Sequence, residues 1–230
     1  MDHKEFKTEF NLAYNNVSSN QAPGLDDVEI SIYLSKAQVT LVDALYAEFE
    51  KSEEARRKLA KLVVTARLNT VQVPEANIIY PEYTATYQPL TDVRYIINEQ
   101  LKMSNLADNC VKDSFIQVQP ILHDEIDKVI NNPFRFNNRR ALRLDVSYNN
   151  SNYIEILSKD KEHIAYYQIR YVKNPEPIML YTYAQYPNDT IDGVTPPTIL
   201  PTGDLGSLPK ETHRQIVEIA AKLAYADYKQ

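Results

Sequence analysis

Four arginines fall within nine residues, Arg135, Arg139, Arg140 and Arg143, with no acid until Asp145; they are the strongest charge feature of the sequence. Guanidinium forks suit carboxylates and phosphates, which they engage through paired hydrogen bonds. Two readings stand side by side. One is a solvated loop, or salt bridges to the chain's own acid; the other is an intersubunit or phosphate contact. The chain carries 31 Asp and Glu against 25 Lys and Arg, for a formal net charge of −6 and a pI near 5.3. That balance argues against non-specific nucleic-acid binding over the whole surface. Carboxylates of a neighbouring subunit are therefore better targets for the cluster than DNA.

The remaining chemistry-bearing residues form no catalytic set. His123-Asp124-Glu125 is the densest group of metal-ligating types, but neighbours i, i+1 and i+2 on a helix point apart, and acids there also suit a helix N-terminus. Ser158-x-x-Lys161 matches the S-x-x-K pattern of penicillin-recognising enzymes without their other signatures. Cys110, the single cysteine, follows Asp108-Asn109 with no activating base nearby, and one Cys excludes disulfide frameworks and Cys-based zinc sites. Paired carboxylates for glycoside chemistry gain no weight from spacing. Four Gly, at 24, 193, 203 and 206, cannot supply a Gly-rich phosphate loop. No catalytic, cofactor-binding or metal residues are expected.

The elements that position these residues begin as helices. Asp2-x-x-Glu5 and Asp26-x-x-Glu29 are capping boxes. The first leads into Phe6, Phe10, Tyr14 and Val17, the second into Ile30, Leu34, Ala37, Leu41 and Leu45, each one face of a helix. Ser52 caps a third helix, with the stripe Ala55, Leu59, Leu62, Val63 and Ala66. Prolines 74, 81 and 89 then forbid helix. Asp92 to Lys102 fits strand or short helix, and Ser114 to Gln119 alternates as a strand. Pro120 can open a short helix with Leu122, Ile126, Val129 and Ile130. After Asn131-Asn132-Pro133 the period becomes two. Ala141–Tyr148, Tyr153–Leu157, Ile164–Val172 and Ile178–Tyr183 read as an antiparallel meander, with 158–162 as a hairpin loop. Residues 187–208 lose periodicity and hold five Pro if Pro209 is included, a length of loop that is often functional or an extended arm. From Pro209 a last helix carries Ile216, Ile219, Ala220, Leu223 and Ala224.

The expected class is α+β: an N-terminal helical bundle over 1–69, a mostly antiparallel, meander- or sandwich-like β region over 70–186 with one short helix, a Pro-rich arm over 187–208, and a C-terminal helix over 209–230 that packs back on the helices. Tyr is in excess, 17 residues with no Trp, and eight of them lie in 148–186. One buried and one half-wet sheet face explains them. The alternative is a carbohydrate- or host-surface-binding module that stacks ligands on a Tyr-rich sheet. The polar start Met1-Asp2-His3-Lys4-Glu5 is not a secretory leader, and no apolar run approaches the ~18 residues of a membrane span. Synthesis in a reducing cytoplasm and no membrane partner are expected.

Phe10-Asn11-Leu12-Ala13-Tyr14-Asn15-Asn16, Ser19 to Asp26 (SNQAPGLD) and Ile32-Tyr33-Leu34-Ser35-Lys36-Ala37-Gln38 resemble the N-terminal signature of a virion structural protein of crAss-like and related gut bacteriophages. Asn132-Pro133-Phe134-Arg135 and Arg139 to Leu144 are similar to its middle. Ile169 to Ile178 (IRYVKNPEPI) is similar to its strand-rich part, and Leu208 to Val217 (LPKETHRQIV) to its last helix. The matches keep their order over nearly the whole chain; the segment from Glu75 to Asn109 matches least. The resemblance implies a ring-forming protein of the head–tail connector or tail, without enzymatic activity or cofactor. It implies a cyclic homo-oligomer following the portal's twelvefold symmetry, stacked against the portal or neighbouring ring and tail proteins. Genomic DNA would pass through its channel without sequence-specific binding, and the protein would reside in the virion.

Overall fold

A computed structural model describes residues 1–18, 24–74, 77–104, 115–201 and 203–229. In chain order the elements are α1 (His3–Ser18), α2 (Asp27–Ala47), α3 (Glu53–Leu59), β1 (Val63–Leu68), β2 (Thr84–Tyr87), β3 (Val93–Met103), β4 (Phe115–Pro120), α4 (Ile126–Ile130), β5 (Ala141–Tyr148), β6 (Ser151–Leu157), β7 (Ile164–Lys173) and α5 (His213–Tyr228). The class is α+β, and α5 packs on both α1 and α2. Two compact units result: Met1–Val63 with Asn174–Gln230, which is helical, and Val64–Lys173, which holds the sheet.

Local chemistry accounts for the helical unit. In both capping boxes the Asp carboxylate accepts the backbone N–H three residues on, at 2.8 Å for Asp2 and 2.7 Å for Asp26, and the Glu side chain returns the bond at 3.0 Å. Phe6, Phe10 and Tyr14 are buried, whereas Val17 is exposed. Every member of the expected α2 stripe is buried, and so are Ser31, Ser35 and Gln38 beside it. The third helix is shorter than its apolar spacing suggests. It ends at Leu59, and Val63–Leu68 is a strand, because Val63, Val64 and Thr65 form a β-branched run.

The sheet has seven strands in the order β1-β7-β3-β4-β5-β6-β2. It curls until its edges meet. The chain just past β1 bridges β2 at Thr70 and Tyr87, with Val71 N–H donating to Thr86 C=O at 2.9 Å and Gln88 N–H to Asn69 C=O at 3.2 Å. One apolar cluster includes Leu101, Met103, Val118, Ile156, Tyr167 and Ile169. A second joins Ile126 and Val129 of α4 to Phe136, Leu142, Leu144 and Leu157.

The expected meander survives only in its first hairpin. β5 and β6 pair antiparallel through Asn149 and Asn150, both with positive φ (49° and 63°), the left-handed pair that a two-residue hairpin turn requires. β7 does not continue it. The other edge of β6 is taken by β2, which alternates between Pro81 and Pro89, and β7 pairs with β3 and β1 instead. Residues 178–183 form no strand of the sheet. Ile178 to Tyr181 are buried on α2, where Ser35 Oγ accepts Ile178 N–H at 3.0 Å, Ser31 Oγ accepts Leu180 N–H at 2.9 Å, and Gln38 Nε2 donates to Glu176 C=O at 2.8 Å. Pro120 closes β4 rather than opening a helix, and Leu122 is exposed; α4 starts at Ile126.

Candidate functional site

β4 and β5 run parallel, so the chain between them must cross over. That crossover is α4 followed by the Asn-rich loop 131–140, and the loop carries Arg135, Arg139 and Arg140. Two asparagines shape it. Asn132 Oδ1 accepts Phe134 N–H at 3.0 Å, and Asn132 C=O accepts Arg135 and Phe136 N–H at 3.0 and 2.9 Å. Asn137 donates from Nδ2 to Phe134 C=O at 3.3 Å, and accepts Arg139 N–H on Oδ1 at 3.0 Å and Arg140 N–H on its C=O at 3.1 Å. Phe136 anchors the loop, fully buried and edge-on to Tyr83 at 5.3 Å.

The result is a pinned loop with an outward face. Phe134 is 86% exposed, and Arg135, Arg139 and Arg140 are exposed with it. None of the three arginines has an ion-pair partner among the described residues. Arg135 and Arg140 border a hollow of about 250 Å³ that Glu125, Val129 and Leu142 also line. The face offers three guanidinium forks and an apolar knob, which suits binding to carboxylates on another protein.

Arg143 stands apart from the other three. It points inward from β5 and pairs with Glu99 at 2.5 Å, with Asp145 following at 3.4 Å. Tyr167 OH donates to the second Glu99 oxygen at 2.9 Å. Burial raises the Glu99 pKa above its ordinary value, opposed by the Arg143 charge and the Tyr167 bond. Burial, then the Glu99 charge, drives the Tyr167 hydroxyl far above the usual tyrosine range. These groups form a buried structural network inside one chain, in which Arg143 Nε alone keeps no hydrogen-bond partner among the described residues.

The other candidates do not converge. His123 Nε2 lies 3.1 Å from Asp145 C=O, and no group of three or more His, Cys, Asp or Glu among the described residues could hold a metal ion. Ser158 is buried and accepts Asp160 N–H at 3.3 Å, whereas Lys161 donates to Pro81 C=O. Cys110 lies outside the described residues. Of the eight tyrosines in 148–186, only Tyr183 is exposed; Tyr167, Tyr171 and Tyr181 are buried, so the sheet does not present a row of open rings. No helix among the described residues is long and apolar enough to cross a membrane.

Two features escaped the sequence reading. A single Phe between Pro and Arg has no period that marks Phe134 as an exposed knob; its Asn neighbours, which shape the loop, are the available signal. The stripe Ser31, Ser35, Gln38 has helical spacing but polar type, and its side chains hold the backbone of 176–180 by hydrogen bonds. The Pro-rich stretch after 187 runs back over the helical unit. Pro197 C=O accepts Tyr183 N–H at 2.9 Å, and Gln38 Oε1 accepts Ser207 N–H at 3.3 Å.

The full chain, residues 1–230, matches a family model described as phage tail ring protein 3/4. Two similar proteins come from Bacteroides phage crAss001. Ring protein 4/5 is 25% identical over 99% of this chain and 94% of its own length. Ring protein 3 is 28% identical over 97% of this chain and 95% of its own length.

Proposed function

The chain belongs to the family of phage tail ring proteins 3/4, and on that premise we propose that it builds one ring of the head–tail connector or tail, around the channel through which DNA leaves the head. As a member of this family it is a structural ring protein of the virion. The proposed assembly is a twelvefold homo-oligomer stacked on the portal or on neighbouring ring and tail proteins, without enzymatic activity. A match that spans the whole chain is the observation that carries this reading. An acidic chain also suits a passage that DNA must traverse without sticking.

Within the ring, Arg135, Arg139 and Arg140 meet carboxylates of the adjacent subunit. A cyclic ring uses heterologous contacts, one surface against a different one on the next copy, and unpaired guanidinium groups on an acidic chain supply one half of such a contact. Arg139→Glu with Arg140→Glu should leave the subunit folded, since both side chains are exposed, and should block ring formation. Normal rings from that double variant would overturn the interface role. Electron microscopy of whole particles tests the larger proposal: class averages at the head–tail junction should show a ring of about twelve copies. A chain absent from particles, or present in one copy, would refute it.

A further inference from the structure

The helical unit carries a second surface that is open among the described residues. α1 and α5 lie side by side and leave between them a groove of about 490 Å³. Val217 and Ala221 of α5 form its buried floor, and Leu12, Ala13 and Val17 of α1 form its wall, with Leu12 56% exposed. Its rim bears Glu9 on α1, and on α5 Glu218 between Arg214 and Lys222, each four residues away. That spacing lets the α5 charges offset one another along the helix. Glu9 has no ion pair among the described residues.

Charge is divided unevenly between the two units. By sequence, Met1–Val63 with Asn174–Gln230 holds 18 Asp and Glu against 12 Lys and Arg, and Val64–Lys173 holds 13 of each. The whole excess of acid thus belongs to the unit with the groove. The unit without excess acid carries Arg135, Arg139 and Arg140, none with an internal ion-pair partner, around Phe134, the most exposed large apolar side chain among the described residues. One unit offers a pinned apolar knob ringed by cations, the other a groove with an apolar floor and wall and a rim of mixed charge, on an acidic body.

We infer that the α1–α5 groove of one copy receives the Phe134 loop of the next copy, with Phe134 against Leu12, Val17, Val217 and Ala221 and a flanking guanidinium on Glu9. This rests on the ring reading above and gives its subunit contact two named halves. Burying an exposed phenylalanine in an apolar groove supplies the drive, and the charge difference between units sets the direction of approach. The asparagine-pinned loop is already in a fixed shape, so docking orders little new backbone.

The test places a benzophenone amino acid at position 134 of the full chain, incorporated into particles and irradiated. Position 134 is exposed, so the subunit should fold, which circular dichroism of the purified chain checks. The expected product is a covalent dimer joining position 134 to residues 9–17 or 214–222 of a second copy, identified by peptide mass spectrometry. Leu12→Asp and Phe134→Asp should each cut ring yield at least tenfold, and Phe134→Leu should keep most of it. Rings whose position 134 cross-links elsewhere, or to no second copy, overturn the groove assignment and leave the ring standing. Unsubstituted particles with no ring of this chain would instead overturn the ring reading.

Discussion

Arg143→Met is the substitution that separates the inward arginine from its three outward neighbours. The Glu99 side chain is 6% exposed and that of Arg143 13%, so solvent screens their 2.5 Å pair little. Removing the guanidinium leaves a buried carboxylate with only the Tyr167 hydroxyl. Breaking a buried pair from one side costs about 3–5 kcal/mol. At roughly 2–4 °C per kcal/mol for a chain of this size, the protein should melt about 6–20 °C lower. Exposed Arg135, Arg139 and Arg140 should each change stability by no more than about 0.5 kcal/mol when replaced. The chain has no Trp, and Tyr87, Tyr167 and Tyr171 lie in the sheet's apolar cluster, so tyrosine fluorescence with far-ultraviolet circular dichroism reports this transition.

The pH dependence follows from the Glu99 shift. Its folded pKa lies above the ordinary value, so the fold favours the protonated acid. Its contribution is therefore present below the unfolded pKa and lost as pH rises through the folded one. Removing Arg143 takes away the charge that lowers that pKa, so the deficit of Arg143→Met should shrink as pH falls toward the carboxylate range. Glu99→Gln combined with Arg143→Met should recover most of the loss, because the amide oxygen can still accept from Tyr167 and no charge is left buried. An Arg143→Met protein as stable as the wild type at pH 7, or one whose deficit grows on acidification, would refute the reasoning.

Ser35→Ala should cost about 1–3 kcal/mol, because Ile178 N–H is then buried without its 3.0 Å acceptor; denaturant unfolding of the helical unit measures it, and a change under about 0.3 kcal/mol would mean that the hydroxyl is dispensable. His213 should make the helical unit acid-sensitive. Its ring is fully buried, with Nδ1 2.8 Å from the Met1 ammonium and Nε2 3.2 Å from Leu208 C=O. Burial first, then the ammonium, lowers its pKa, with Lys61 adding to the drop and Leu208 C=O and Asp204 opposing it. A depressed pKa means that the unfolded chain takes the proton first, so stability is full above about pH 6.5 and falls as pH drops below it. Melting curves from pH 8 to 5.5 should show that slope, and His213→Gln should flatten it; an unchanged slope in the variant would assign the sensitivity elsewhere.

What could be read in the sequence was whatever a local rule dictates. The capping boxes, the α2 stripe and the last helix follow from hydrogen-bond reach and a 3.6-residue period, and they lie where those rules put them. The α5 stripe is rotated, however. Ile219 and Leu223 are half-buried, and His213, Val217 and Ala221 face the interior, because α5 is held between α1 and α2 rather than on one partner. Strand partners could not be read, since alternation says which residues share a face and nothing about which edge they meet. β2 is the example: four residues between prolines displace β7 from β6. Arg143 was grouped with its neighbours by spacing alone. One residue into a strand reverses the direction of a side chain, and Leu142 and Leu144 face the α4 cluster while Arg143 turns toward Glu99.

The curl of the sheet bears on how copies of this chain can associate. An open sheet can add a neighbour's strand at its edge through backbone hydrogen bonds that are indifferent to side chains. Here the two edges approach each other at Thr70 and Tyr87, where the backbone groups of Val71 and Gln88 are already bonded. At that seam no such edge is on offer. Association at that seam then falls to side chains, which discriminate between partners as backbone pairing does not. Two relatives in one phage, ring protein 3 and ring protein 4/5, match nearly all of this chain at 28% and 25% identity. Rings built on one fold in one particle must avoid mixing subunits, and a contact made by a loop knob and a helix groove can differ between rings while the sheet beneath them stays the same. That reasoning expects the residues at 134–140 and along the α1–α5 groove to differ between two such rings more than the sheet interior does. Mixing this chain with either of these two relatives should yield separate homomeric rings, and mixed rings would count against a side-chain code at these two surfaces.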